Sequence, residues 1–473
     1  GGKSSAGGDI VNGGKTVVEA VAEGKEAAGM KHYAVTEEAL QAWGRDYQAS
    51  TERKLATMAL SRCDLSSVDV VGEEAGKMRH KFSVNIKTLD VTNQKHSGRC
   101  WLFAATNVLR EKIARELNLE NFELSQSYLA FWDKFERANY FLESMLDTAT
   151  LPPDDRTVSF ILQTGVHDGG QWDMFANIVE KYGVVPKDVY DETYQSSNTH
   201  GMNHVLNRNL KICAIRLRDM VKEGRSEEEI HAAKDEMLGR IYAFLCSCYG
   251  EPPRTFDFEY VDKDDKYTRE TGYTPRSFAE KYVGELLHET VSIIHAPTKD
   301  KPYHDTFTIR YLGNVVGGKD VKHLNLTMDE FKAAIIAQLQ DDQVVWFGSD
   351  VGKFGDRDNG FWDDRSFDAE LLTGLDLAIS KEDALDYGFS AMNHAMVITG
   401  VNLVDGKPDR WRIENSWGDE HGKKGYYVCS DTWFDEYVFQ AAVQKKYLGD
   451  LAALADKEPV ELDPWDPMGT LAD

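Results

Sequence analysis

The sequence predicts an α+β protein, with helices dominating the first part of the chain and strands gathering towards its end. Three observations point there. From Trp101 to Leu117 the apolar residues Leu102, Ala105, Leu109 and Ile113 recur at three- and four-residue steps, the spacing of one helix face. Two apolar, β-rich runs, Asn393 to Val401 and Arg410 to Gly418, are joined across the turn Asp405-Gly406-Lys407-Pro408 and are expected to pair as a hairpin. No period of about 20 to 50 residues repeats, which excludes a solenoid.

Composition bounds the function. A chain of 473 residues with 42% hydrophobic and 11% aromatic residues can bury a large core and is not generally disordered. Its length suits roughly two to four folding units. The longest apolar runs are a few residues, far short of the ~20 that span a bilayer, so a soluble protein is expected. Lys plus Arg is 54 against 79 Asp plus Glu, a net charge of −25. That field repels phosphate backbones and anionic lipid, which argues against nucleic-acid or membrane partners. Six cysteines (63, 100, 213, 246, 248 and 429) are scattered without a disulfide framework, as suits reduced thiols in a cytoplasm. Cys246-Ser-Cys248 lacks the spacing of a redox or zinc pair, and His200-Gly-Met-Asn-His204 lacks the glutamate of a zinc-protease helix. No metal or cofactor is expected.

In chain order, residues 1–30 show no basic stretch leading into an apolar one and are read as an N-terminal segment outside the fold, a tag or a disordered leader. Residues 31–186 are mainly helical, with segments at Thr36–Trp43 and Glu52–Leu60. A short strand at Phe82–Ile86 follows, then the loop carrying Gln94, then the helix that begins near Cys100. Residues 119–146 continue as helix, their aromatic stripe facing the core. Pro152-Pro153 breaks the pattern, and Asp168-Gly169-Gly170-Gln171-Trp172 precedes a helix from Met174 to Tyr182. Residues 187–325 read as an inserted, mixed region. Ser226 and Glu229 form a capping box opening a helix that Pro252-Pro253 ends, and Phe256–Val261 alternates like a strand. Residues 326–450 are β-rich. A second capping box, Thr327 with Glu330, opens the helix Phe331–Leu339, and a buried-strand run from Gln343 to Gly348 precedes the hairpin. Residues 451–473 form a C-terminal arm.

The chemistry centres on Cys100. In the first turn of its helix the unpaired amides and the dipole favour an anion, so the thiol is expected to ionise more easily than a free one. Gln94, on the connection into that helix, can aim an amide donor at whatever the sulfur attacks, half of an oxyanion hole. Gly169 and Gly170 remove side chains where an extended peptide could lie against backbone. Pairing of the two C-terminal strands brings His394, at the start of one, beside Asn415, at the end of the other. An imidazole that holds the thiolate as an ion pair and later protonates the leaving amine, kept in orientation by a fixed carboxamide, is what a thiol protease needs.

At these residues the sequence resembles the papain-like cysteine proteases, and within them the bleomycin hydrolase or aminopeptidase C branch. The matching strings are Gln94 with Ser97-Gly98-Arg99-Cys100-Trp101, Gly169-Gly170-Gln171-Trp172, Asn393-His394-Ala395-Met396 and Glu414-Asn415-Ser416-Trp417-Gly418. Cys100 and His394 lie 294 residues apart, against roughly 130 to 150 in ordinary papain relatives, and this branch carries such insertions. The ending Pro464-Trp465-Asp466-Pro467-Met468-Gly469 resembles the tail of the branch.

The resemblance implies a papain-like two-lobed fold, one lobe helical and one β-rich, with large mainly helical insertions and the C-terminal arm in the active-site cleft. It implies catalytic roles for Cys100, His394, Asn415 and Gln94, with Trp417 shielding the histidine and Trp101 in support. Gly169, Gly170 and Asn393 would receive substrate, and Ala472 or Asp473 would present a carboxylate to the substrate's α-ammonium. The function implied is a cytoplasmic cysteine aminopeptidase acting on peptides with a free N-terminus, assembled as a homohexamer. The alternatives are an endopeptidase of the same fold and a non-catalytic acidic scaffold.

Overall fold

The computed structural model describes residues 32–473, so the segment 1–30 lies outside the described residues. The chain forms two compact units. The smaller takes the described residues up to Val71 together with Asp368–Leu377. Its helices α1 (Glu37–Ala49) and α2 (Thr51–Leu60) meet at Ser50, which ends the first and caps the second by accepting from the Arg53 amide at 3.1 Å. The Arg53 guanidinium in turn donates to the carbonyls of Leu371 and Leu372.

The larger unit, Gly72–Phe367 with Ala378–Asp473, carries the remaining expected elements. Its helices are α3 (Cys100–Glu116), α4 (Gln126–Asp147), α5 (Arg156–Thr164), α6 (Trp172–Tyr182), α7 (His200–Lys222) and α8 (Glu227–Tyr249). Both capping boxes form as expected, at Ser226 with Glu229 and at Thr327 with Glu330. Boundaries differ in places: the strand expected over Phe82–Ile86 forms only at Val84–Asn85, and residues 119–125 are not helical. Ser125 is the N-cap of α4, its hydroxyl accepting from the Tyr128 amide at 3.0 Å, and Leu124 bridges Pro186 instead. Of the aromatic stripe on α4, Phe131 is buried and Trp132 stacks on Tyr182 at 4.0 Å between ring centres. Helices α7 and α8 pack on α4 and on each other.

A twelve-stranded sheet forms the other half. At its centre are three apolar strands, β1 (Val345–Ser349), β2 (His394–Val404) and β4 (Val438–Gln444); β1 and β4 are buried throughout, as is β2 as far as Val401. Strand β2 turns back into β3 (Lys407–Glu414) at Asp405 and Gly406, whose φ values of 50° and 78° give the left-handed two-residue turn that suits the twist of paired strands. The sheet also draws in Thr290–Ile294, Thr306–Ile309 and His323–Asn325, a stretch that reads from the sequence as inserted. Helix α3 packs across β2, which brings the N-terminus of one to the start of the other. Among the described residues no helix is long and apolar enough to cross a membrane.

Candidate active site

Gln94 is held from three sides. Its backbone amide donates to the Ser416 carbonyl at 2.8 Å, its Oε1 accepts from Ser416 Oγ at 2.7 Å, and its Nε2 donates to the Ser97 carbonyl at 2.7 Å. An amide nitrogen carries two hydrogens, so one remains for a ligand. Cys100 opens α3 and is fully buried. Arg99, at the N-cap, makes no cap bond; its side chain turns away to Ser97 Oγ (2.8 Å) and Glu192 (3.0 Å), leaving the first-turn amides unobstructed.

At the head of β2, His394 Nε2 lies 2.9 Å from Asn415 Oδ1. The same oxygen accepts from the Ser416 amide at 2.8 Å, which fixes the carboxamide with its acceptor towards the ring. Nε2 must therefore carry the proton, and in the neutral ring Nδ1 is the free base. The Trp417 ring lies 4.8 Å from the His394 ring, covering this bond from one side.

The expected ease of ionisation at Cys100 is not what the structure gives. Burial, the leading cause, pushes the thiol up to about 12, and the negative charge of Asp473 adds to it. Together they outweigh the amides of Ala395, Trp101 and Cys100 itself, which favour the thiolate. Burial likewise pulls His394 down to about 4, against the bond to Asn415. The C-terminal arm ends close by, with Ala472 fully buried and the charge of Asp473 felt at the thiol. Gly170 and Ala472 exchange two backbone hydrogen bonds, at 3.0 and 3.1 Å, as an antiparallel bridge, and the Asp473 amide donates to the Asn393 carbonyl at 3.0 Å. A Cβ on Gly169 would lie 2.7 Å from the Ala472 carbonyl, and one on Gly170 would lie 2.6 Å from the Trp101 ring, so neither position admits a side chain. Trp101 is itself fixed, donating from Nε1 to the Asp168 carbonyl at 2.6 Å. Asn393 meets the arm only through its carbonyl. Its carboxamide is taken by Asp350 Oδ1 (2.8 Å) and the Val351 amide (3.1 Å).

The model of the Peptidase C1-like family matches residues 34–469. This chain belongs to that family. It is 51% identical to an aminopeptidase C of Lactobacillus delbrueckii subsp. lactis over 395 residues, 83% of this chain and 88% of the relative. Human bleomycin hydrolase is 42% identical over 392 residues, 81% of this chain and 86% of that protein. The crystal structure of PepW from Lactobacillus rhamnosis superposes with a TM-score of 0.91 at 46% identity, covering 93% of this chain and 99% of that one. The chain is thus a cysteine protease of the aminopeptidase C and bleomycin hydrolase branch.

In this Peptidase C1-like site several polar residues escaped the sequence reading. Ser416 ties Gln94 to the Asn415 loop, although only its place inside the Asn415-Ser416-Trp417 string marked it. Asp168, buried, accepts from the Gly98 amide (2.9 Å), Lys134 Nζ (2.5 Å), Asn203 Nδ2 (3.0 Å) and Thr199 Oγ1. Burial alone would raise its carboxyl, but the Lys134 charge and these bonds hold it well below the usual carboxylate range. It therefore stays ionised and pins Gly98, two residues before the nucleophile. Among the described residues no group of three or more His, Cys, Asp and Glu converges to hold a metal.

Proposed function

We propose that this cysteine protease is an aminopeptidase that removes N-terminal residues from peptides in the cytoplasm, with the C-terminal arm setting where a substrate must begin. The observation that carries this reading is the strand Ala472–Asp473, bonded to Gly170 and Asn393 and ending beside Cys100. A chain lying there occupies the positions that an internal peptide segment would need on one side of the nucleophile. Asp473 continues the arm beyond Ala472 on the side of Cys100, so a substrate's first residue is expected to enter only when Asp473 withdraws or is removed. A carboxylate on Ala472 would then face the substrate's α-ammonium.

The chemistry follows from the atoms. As the Cys100 sulfur attacks the first peptide carbonyl, its proton passes to Nδ1 of His394. The Cys100 amide and the free hydrogen of Gln94 take the oxyanion. The imidazolium protonates the leaving amine, and a water deprotonated by His394 then hydrolyses the thioester. Asn415 keeps the ring in position throughout.

The test compares an unblocked aminoacyl amide with its N-acetylated form. The aminopeptidase cleaves the first and spares the second; the reverse preference would establish the endopeptidase reading. Cys100→Ala should abolish both activities, and retained activity would refute the mechanism. A chain ending at Ala472 should exceed one ending at Asp473 in kcat/KM on the unblocked amide, and deleting residues 470–473 should shift cleavage towards blocked or internal bonds.

A further inference from the structure

The arm reaches the cleft through a sequence of fixed points. Strand β5 (Val460–Leu462) joins the sheet edge in parallel with Thr306–Ile309. The Trp465 ring then lies 3.8 Å below the Arg156 guanidinium. Asp466 follows with its side chain 8% exposed. One carboxylate oxygen is 2.8 Å from the ammonium of Lys301, itself 1% exposed, and the other accepts from the Met468 amide at 2.8 Å, capping the short turn Pro467–Gly469 that bends the chain inward. Past the turn stands Gln171. It is fully buried, and Nε2 donates to the Met468 carbonyl at 3.1 Å and to the Thr470 carbonyl at 2.8 Å. Gly170 then takes Ala472. Residues 468, 470 and 472 are thus read in alternation by two consecutive residues of the loop before α6.

Gln171 stands at the N-cap of α6, where a side chain usually accepts from the helix amides, yet it makes no cap bond. Two carbonyls can only be met by donors, so the orientation of the amide is fixed by the arm. Its Oε1 is left buried without a partner, an unfavourable state that a residue placed to serve the helix would not hold. Both hydrogens of the amide go to the arm.

We propose that Gln171 is a positioning residue that sets the register of the arm, with the buried Lys301–Asp466 pair as its outer anchor, and thereby sets the preference for substrates with a free N-terminus. This rests on reading the arm as the stop in the cleft. A slip of one residue displaces an extended chain by about 3.3 Å and turns its side chains to the opposite face, so the residue beside Cys100 would be wrong in both place and orientation.

The experiment uses the full chain with Gln171→Leu, which keeps the volume and removes both donors, and Gln171→Asn, whose shorter amide cannot span the two carbonyls. Lys301→Met is paired with Lys301→Met/Asp466→Asn, which discharges the stranded carboxylate. Ile178→Ala, in the buried face of α6, is the control for general loss of stability. Three readouts are taken: Tm, hydrogen exchange of the 464–473 and 172–182 peptides, and the ratio of kcat/KM for an unblocked aminoacyl amide to that for its N-acetylated form. The Gln171 variants should lower arm protection and the substrate ratio by on the order of tenfold, the loss expected from two neutral hydrogen bonds, while the 172–182 peptide keeps its protection. Lys301→Met should act likewise and the double variant should recover part of the loss. Ile178→Ala should lower Tm and leave the ratio alone. Unchanged arm protection and ratio in both Gln171 variants, or an equal change in ratio in Ile178→Ala, would overturn the proposal. If the wild-type protein shows no preference for the unblocked amide, the aminopeptidase reading fails, while arm exchange still decides whether Gln171 sets the register.

Discussion

His394 is poised by two neighbours and titrated by its burial. Its ring is neutral down to about 4, against 6.5 for a free imidazole, so the unfolded chain takes up a proton between these values and the folded chain does not. Its contribution to stability is therefore complete above pH 6.5 and is lost as pH falls through 4. A shift of this size corresponds to about 3 kcal/mol at most. His394→Gln should thus narrow the fall in unfolding free energy between pH 6.5 and 4, measured by denaturant titration, and an unaltered slope would place the proton elsewhere. Cys100 moves the other way. With residues 470–473 removed its thiol loses the Asp473 charge, one of the two causes that push it up. The midpoint of its iodoacetamide alkylation against pH should then fall below that of the intact chain.

At the scale of elements, the helix mouth depends on an ion pair outside the catalytic set. Lys134 on α4 and Asp168 on the loop before α6 are both buried, and the pair holds the Gly98 amide. Removing one partner leaves a bare buried charge, which typically costs about 3 to 5 kcal/mol. Lys134→Met should destabilise to that extent in thermal or denaturant unfolding, and adding Asp168→Asn should restore part of it. Gly170→Ala drives a methyl into the Trp101 ring, and should raise KM and weaken arm binding more than it lowers Tm. These dependences also show what a sequence can and cannot reveal. The hairpin was legible because Asp405-Gly406 is local turn chemistry, and the capping boxes because Ser226 with Glu229 and Thr327 with Glu330 sit three residues apart. The strings around Cys100, His394 and Asn415 carried the candidate site. Lys134 with Asp168, Lys301 with Asp466, and Gln171 with Thr470 carry no periodic mark, because each partner lies tens to hundreds of residues away. Asn393, expected to receive substrate, offers its carbonyl to Asp473 while its carboxamide turns to Asp350, a residue that nothing in the sequence singles out.

For the whole molecule, the site is a junction between distant parts of the chain. Cys100 comes from the helical half, His394 and Asn415 from the sheet, and the strand in the cleft from the last residues of all. The folded larger unit is therefore needed before any of the chemistry can occur, and activity should vanish with the tertiary signal in a denaturant titration rather than ahead of it. The 294 residues between nucleophile and base also set a delay during synthesis. At about 5 to 20 residues per second, a ribosome needs roughly 15 to 60 s to deliver His394 after Cys100 has been made. Through that interval a nascent chain holds a thiol without its base, so it cannot digest itself or its neighbours before it is nearly complete.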